Sequence, residues 1–209
     1  MATRYYTFAE QEFYHIFNRG NSKQEIFKSE DDYERFKKTL YLANNSEPFV
    51  MRELDDVEVY THERGTPLVH IGAYCCMPNH FHLLITPATP HGVPTFMNKL
   101  GTSYTLYFNK KYHRSGSLFE GAYKAKYADT DRYLKYLFAY VHLNPYRGKN
   151  GERVVPRELE SYEHSSLPDY LGKERKVQNI LSRSFFPEYF EGIRNHRLEL
   201  GEWLDYSEN

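Results

Sequence analysis

LVHIGAYCCM (residues 68–77), the break Pro78-Asn79, and HFHLLIT (residues 80–86) decide the fold. Both runs are dense in β-branched, aromatic and aliphatic residues, and each has strand length. The break between them is short, so the two strands are neighbours in one sheet. Residues i and i+2 of a strand share a face, so His80 and His82 project together while Phe81 enters the opposite, apolar side.

Working toward the N-terminus, EFYHIFN (12–18) is rich in β-formers and stops at the turn Arg19-Gly20-Asn21-Ser22. It reads as a first strand. Ser29 has the character of an N-cap with Asp32 three residues on, and Tyr33, Phe36, Leu40 and Leu42 form an apolar stripe at helical spacing. The acidic run Glu30-Asp31-Asp32 sits where the helix macrodipole favours it. Residues 44–66 read as a loop with an edge strand over Asp56 to Tyr60.

Toward the C-terminus, Pro94 to His113 predicts a helix with Phe96, Leu100, Tyr104 and Phe108 at four-residue spacing. Ser117 to Asp129 alternates like a strand, with Gly116 marking a turn and Gly121 a bend. Thr130 caps a further helix, DRYLKYLFAYVHLN, which Pro145 stops. The order β-α-β-β-α-β-α predicts an α+β fold: a ferredoxin-like or RRM-like antiparallel sheet with helices packed on one face. Beyond Gly151 the chain is turn-rich, with a closing helix beginning near Pro187. The expected division is a main domain over 1–150 and an extension over 151–209 packed on it, because about 60 residues fall near the lower limit for independent stability.

Composition bounds the function classes. A chain with 40% hydrophobic and 26% charged residues is an ordinary globular protein, which excludes disordered and collagen-like classes. Aromatic residues reach 17%, which suits either an aromatic core or a surface that stacks on bases. No run approaches the roughly 20 apolar residues of a membrane span, and the start lacks a signal-peptide core. Cys75 and Cys76 are adjacent in a strand, point to opposite faces and cannot form an ordinary disulfide, so a reducing, cytoplasmic location is expected. The net charge of -1 conceals an uneven distribution: residues 99–149 carry 10 Lys and Arg against 3 Asp and Glu, between two acidic flanks. That middle is either a phosphate-binding face or a solvated helix surface.

Two constellations carry chemistry. The imidazoles of His80 and His82 can converge on one metal ion, although two exposed histidines on any alternating strand would look the same. Tyr140 and Asn144, four apart at a helix end, share a face and can present a phenol and an amide oxygen to one spot, whereas His142 points elsewhere. A core aromatic followed by an Asn-Pro helix stop has the same pattern.

Taken together and in order, Asn18-Arg19-Gly20, PNHFHLLI (78–85), SGSLFEGAYKAKY (115–127) and YVHLNPYRG (140–148) resemble the HUH single-tyrosine transposases, and the last stretch is particularly similar to their REP-associated branch. The resemblance runs from about residue 12 to 150. It implies a 1–150 catalytic domain that cleaves and rejoins single-stranded DNA at hairpin-containing sites through a 5′-phosphotyrosine intermediate. It further implies that Tyr140 is the nucleophile and that His80, His82 and Asn144 bind the divalent cation, Mg²⁺ or Mn²⁺. Relatives in the insertion-sequence branch carry Gln where this chain has Asn144, which keeps His142 open as the rival third ligand.

The implied chemistry is physically consistent. A phenol is mostly protonated at neutral pH, so its attack on a phosphodiester requires stabilisation of the charge that develops on the phosphoryl group and leaving oxygen. A mixed nitrogen and oxygen site suits Mg²⁺ or Mn²⁺, with Mn²⁺ the better partner for imidazole. Candidate phosphate contacts are Arg19, Lys110, Lys111, Arg114, Lys124, Lys126, Arg147 and Lys149, and Tyr112, Tyr123 and Tyr127 are candidates to stack on unpaired bases. The resemblance allows a monomer or a homodimer and implies no membrane partner. Two rival readings are a DNA- or RNA-binding regulator on the same fold that does not cut, and a metallohydrolase in which water attacks.

Overall fold

A computed structural model describes residues 7–49, 59–146, 160–188 and 200. Four strands, β1 (Tyr14–Arg19), β2 (Val69–Met77), β3 (His80–Pro87) and β4 (Lys124–Tyr127), form one antiparallel sheet in the order β2-β3-β1-β4. Three main helices accompany it: α1 (Glu30–Ala43), α2 (Gly92–Lys111) and α3 (Asp131–Leu143). The α+β, ferredoxin-like class expected from the sequence is the one observed. Among the described residues, no helix is long and apolar enough to cross a membrane.

Strand alternation sorts the core. Ile16, Phe81, Leu83, Ile85, Tyr74 and Cys76 point to one side and pack with Phe36 and Leu40 of α1 and with Phe96, Leu100, Tyr104 and Phe108 of α2. Their neighbours Leu84, Ala73 and Cys75 point to the other side, where they meet Leu134, Leu137, Phe138 and Val141 of α3. Helices α1 and α2 therefore share one face as expected, while α3 crosses the opposite one. The small side chains of Ala73 and Cys75 make room for it, a complementarity between elements distant in sequence. Both thiols are buried and free, on opposite faces of β2.

The ends of the helices follow their sequence signals. Thr130 accepts from the Tyr133 N–H at the start of α3. At the start of α1 the Asp32 carboxylate accepts from the backbone N–H groups of Lys28 at 2.8 Å and Ser29 at 3.1 Å. Asp32 is fully buried, and it also receives Lys111 Nζ at 2.8 Å and the hydroxyls of Tyr107 at 3.0 Å and Tyr112 at 2.6 Å, all from the end of α2. One carboxylate thereby ties the first turn of α1 to the last turns of α2.

The strand expected over Ser117 to Asp129 is regular only at Lys124–Tyr127. Gly121, at φ +148°, breaks the alternation upstream, in a conformation that favours glycine. The preceding segment is held by a bridge between Gly20 and Phe119 and by Glu120 N–H donating to Arg19 O. Of the edge strand expected over Asp56 to Tyr60, residues through Glu58 lie outside the described residues, and Val59–Thr61 is a single helical turn. The closing helix expected from near Pro187 lies mostly outside them as well.

Residues 160–188 run along the free edge of β2. Cys76 N–H donates to His164 O at 2.9 Å, Ser166 N–H to Tyr74 O at 3.0 Å, and Ser182 N–H to Ile71 O at 2.9 Å. Tyr74 N–H donates to Ser166 Oγ, and the Tyr170 hydroxyl to Gly72 O. Backbone groups that an edge strand would leave open are satisfied by the chain's own continuation.

Candidate active site

The register of the sheet assembles the site. Phe17 of β1 stands opposite His82 and Arg19 opposite His80. On its other side β1 sets Phe17 opposite Lys124 and His15 opposite Lys126. Opposed residues of an antiparallel pair share a face, so His15, His80, His82, Arg19, Lys124 and Lys126 all project to the side that carries α3.

Helix α3 brings Tyr140 over the histidines. The centroid of its ring lies 5.5 Å from that of His82, at 88°, and 5.6 Å from that of His15, at 71°, both edge-to-face. One turn later Asn144 Oδ1 approaches His80 Nε2 to 3.2 Å. A cavity of about 250 Å³ opens among His80, His82 and Tyr140, with Arg19, Glu120 and Lys124 also on its walls.

The hydrogen bonds fix the chemistry of these donors. Asn79 Oδ1 and Asn144 Oδ1 both only accept, and a neutral His80 ring has one N–H to give. The shorter contact, 2.6 Å at Nδ1 against 3.2 Å at Nε2, favours the proton on Nδ1 and leaves Nε2 with a lone pair. That lone pair faces Asn144 Oδ1, another acceptor. Meanwhile His82 Nε2 is buried and has no hydrogen-bond partner. Two acceptors in contact beside an unpartnered imidazole nitrogen fit a bound cation, and two imidazole nitrogens with an amide oxygen form a donor set suited to Mn²⁺ or Mg²⁺. Among the described residues no group of three His, Cys, Asp or Glu side chains could hold a metal.

Protonation favours the ligand form. Burial lowers His82 well below the usual imidazole value, assisted by His15 and His80. Burial also lowers His80, opposed by its contact with Asn144 and reinforced by Arg19. His15 is pushed down to about 4 by burial and by the Lys126 cation, and His164, packed on Tyr33, to about 4 chiefly by burial. A base whose folded pKa lies below its unfolded value of about 6.5 gives full stability above pH 6.5, and that stability is lost as the pH falls toward 4. Denaturant midpoints measured from pH 8 to 4 should therefore fall below pH 6.5, with His15 alone contributing up to about 3 kcal/mol. A level profile between pH 6.5 and 4.5 contradicts this.

The remaining sequence candidates separate. Arg19 and Lys124 line the cavity, and Lys126 is exposed on the same face. Lys110, Lys111 and Arg114 belong to or follow α2 on the opposite face. Lys110 lines an open groove there, Lys111 is bound to Asp32, and the Arg114 guanidinium lies over the Phe108 ring at 5.5 Å. Arg147 and Lys149 lie outside the described residues. Of the aromatic candidates, Tyr112 donates to Asp32, Tyr123 is half-buried near Phe8, and Tyr127 is exposed with its hydroxyl on Glu12. His142 is fully buried, with Nε2 2.8 Å from Ser166 Oγ, and does not line the cavity.

Two participants escape sequence reading. His15 sits between Tyr14 and Ile16 in β1 and gains its meaning only from the cross-strand contact with His82. Asn79 reads as a turn residue, yet its side chain orients His80.

Residues 9–144 match the family model described as transposase IS200 like. No curated protein matches the sequence. A solved structure of a REP-associated tyrosine transposase bound to a REP hairpin is similar in fold, with a TM-score of 0.55 over 90% of this chain and 89% of that chain, at 9% sequence identity.

Proposed function

Because the chain belongs to the IS200-like transposase family, we propose that it cleaves and rejoins single-stranded DNA through a covalent bond to Tyr140, at sites that contain a hairpin. The observation that carries this reading is the meeting, on one face of the sheet, of the Tyr140 ring with His82 and of Asn144 Oδ1 with His80 Nε2. Under this reading His80, His82 and Asn144 hold a divalent cation, which when bound supplies Lewis-acid polarisation of the scissile phosphate.

The chain's own residues supply attack and positioning. Tyr140 is fixed by its helix against two imidazole rings, so its phenol is held beside the cavity with little orientational freedom left to lose. Its oxygen attacks phosphorus, the bond from phosphorus to the 3′ oxygen breaks, and the phenolic proton leaves to solvent while the 3′ oxygen takes one up. The products are a 5′-phosphotyrosine and a free 3′-hydroxyl. No water enters the bond, so a second 3′-hydroxyl can reverse the step and join a new strand. Arg19 and Lys124, on the cavity wall, can hold phosphate oxygens of the bound strand, with Lys126 extending the basic track along β4. The structural neighbour bound to a REP hairpin supports a hairpin as the partner.

The decisive experiment incubates the full chain with hairpin-bearing single-stranded DNA and Mn²⁺, then denatures the mixture. A covalent protein–DNA species is expected. DNA that is bound but never cut would favour the regulator reading. The basic track has its own test: Lys124→Ala with Lys126→Ala should weaken hairpin binding and reduce the slope of log K against log salt by about 1.4, at roughly 0.7 per single-strand phosphate contact. An unchanged slope would remove both lysines from the interface.

A further inference from the structure

Each imidazole of the HxH pair makes a hydrogen bond through Nδ1. His80 donates from Nδ1 to Asn79, and His82 Nδ1 lies 2.8 Å from His15 Nε2. His15 is 4% exposed, belongs to the neighbouring strand, and its ring is stacked against that of His82 with centroids 5.0 Å apart. The contact admits two proton arrangements. In one, His15 Nε2–H donates and His82 carries its own proton on Nε2, where nothing accepts it. In the other, His82 Nδ1–H donates and its Nε2 keeps a bare lone pair free to bind a cation, while His15 carries its proton on Nδ1, buried and also without an acceptor. Each arrangement leaves one buried N–H unmet, and only the second leaves His82 able to ligate through Nε2.

The geometry points to His15 as the positioning residue of the site: by accepting from His82 Nδ1 it holds His82 in the tautomer and rotamer that can bind a cation through Nε2. His15 thus does for His82 what Asn79 does for His80. A histidine that ligates a metal almost always donates its other ring N–H to an acceptor, and loss of that acceptor weakens affinity by about 10–100-fold. The inference rests on the reading of His80, His82 and Asn144 as cation ligands. It adds a residue from another strand, outside the family's HxH and tyrosine stretches, whose role is proton acceptance and not contact with DNA.

Calorimetric titration of the full chain with Mn²⁺, without DNA, tests it. Wild type should bind, His82→Ala should lose binding, and His15→Phe, which keeps a ring of similar shape, should bind about 10–100-fold more weakly. His15→Gln, whose amide oxygen can accept from His82 Nδ1, should recover most of the loss. Wild-type affinity in His15→Phe overturns the inference alone, and so does a His15→Gln as weak as His15→Phe, since that pattern marks packing. A wild type that does not bind Mn²⁺, or a His82→Ala that binds like wild type, overturns the ligand reading and this inference with it. Should the variants fold poorly, ring ¹⁵N NMR of the wild type decides: His82 protonated on Nδ1 with His15 Nε2 bare is expected, and His15 protonated on Nε2 overturns the assignment.

Discussion

Tyr140→Phe should abolish the covalent protein–DNA species, a loss of about three orders of magnitude or more in strand cleavage, and leave hairpin binding nearly unchanged. The substitution removes one oxygen and keeps the ring. The edge-to-face contacts with His82 and His15 survive, so the sheet, the histidines and the cavity lined by Arg19 and Lys124 stay in place. What disappears is the atom that, in the proposed reaction, forms the new bond to phosphorus. A denaturing gel with end-labelled hairpin DNA and Mn²⁺ reads the result. A covalent band that persists would assign the nucleophile elsewhere. Cleavage to free 5′-phosphate ends without a covalent band would mean that water attacks, the behaviour of a metallohydrolase.

The second large effect concerns the imidazoles. His80→Ala combined with His82→Ala should reduce cleavage by more than about 100-fold, since removing an outer hydrogen-bond partner of a ligand already costs about 10–100-fold in affinity or activity. Hairpin binding should persist, because the cationic side chains on the same face are untouched. His82 is buried at 5% exposure, so a thermal melt must accompany the assay to separate loss of the site from loss of packing. Cleavage at the wild-type rate in a folded double variant would end the metal reading.

Much of this arrangement is legible in the residues themselves. The alternation of His80, Phe81 and His82 assigns two imidazoles to one face and a phenyl to the core, and Phe81 is buried accordingly. The spacing of Tyr140 and Asn144 places both on one side of α3, and Ser29, Asp32 and Thr130 mark helix starts that the structure contains. Legibility stops where a partner is distant in sequence. Nothing local in EFYHIFN says that His15 will meet His82, since that depends on how β1 registers against β3. Lys111 looks like any solvated lysine until Asp32, on another helix, is seen to hold it. The face that α3 chooses depends on Ala73, Cys75 and Leu84 leaving space for it, which periodicity within α3 does not reveal. Gly121 reads as a bend in a strand and proves to be where regular pairing stops.

The tail that runs along β2 has a mechanical consequence for the helix that carries Tyr140. Ser166 bonds at once to the β2 backbone and to His142, two residues beyond Tyr140, so the helix bearing the phenol is riveted to the sheet from its rear side. Lending that helix to another copy of the chain would mean stripping Phe138, Val141 and His142 from their shelter and breaking the Ser166 link. Each large apolar side chain so uncovered costs about 1.5–3 kcal/mol. In this arrangement the Tyr140 ring lies beside the histidines of its own sheet, and drawing α3 away from it would first require unfastening the tail.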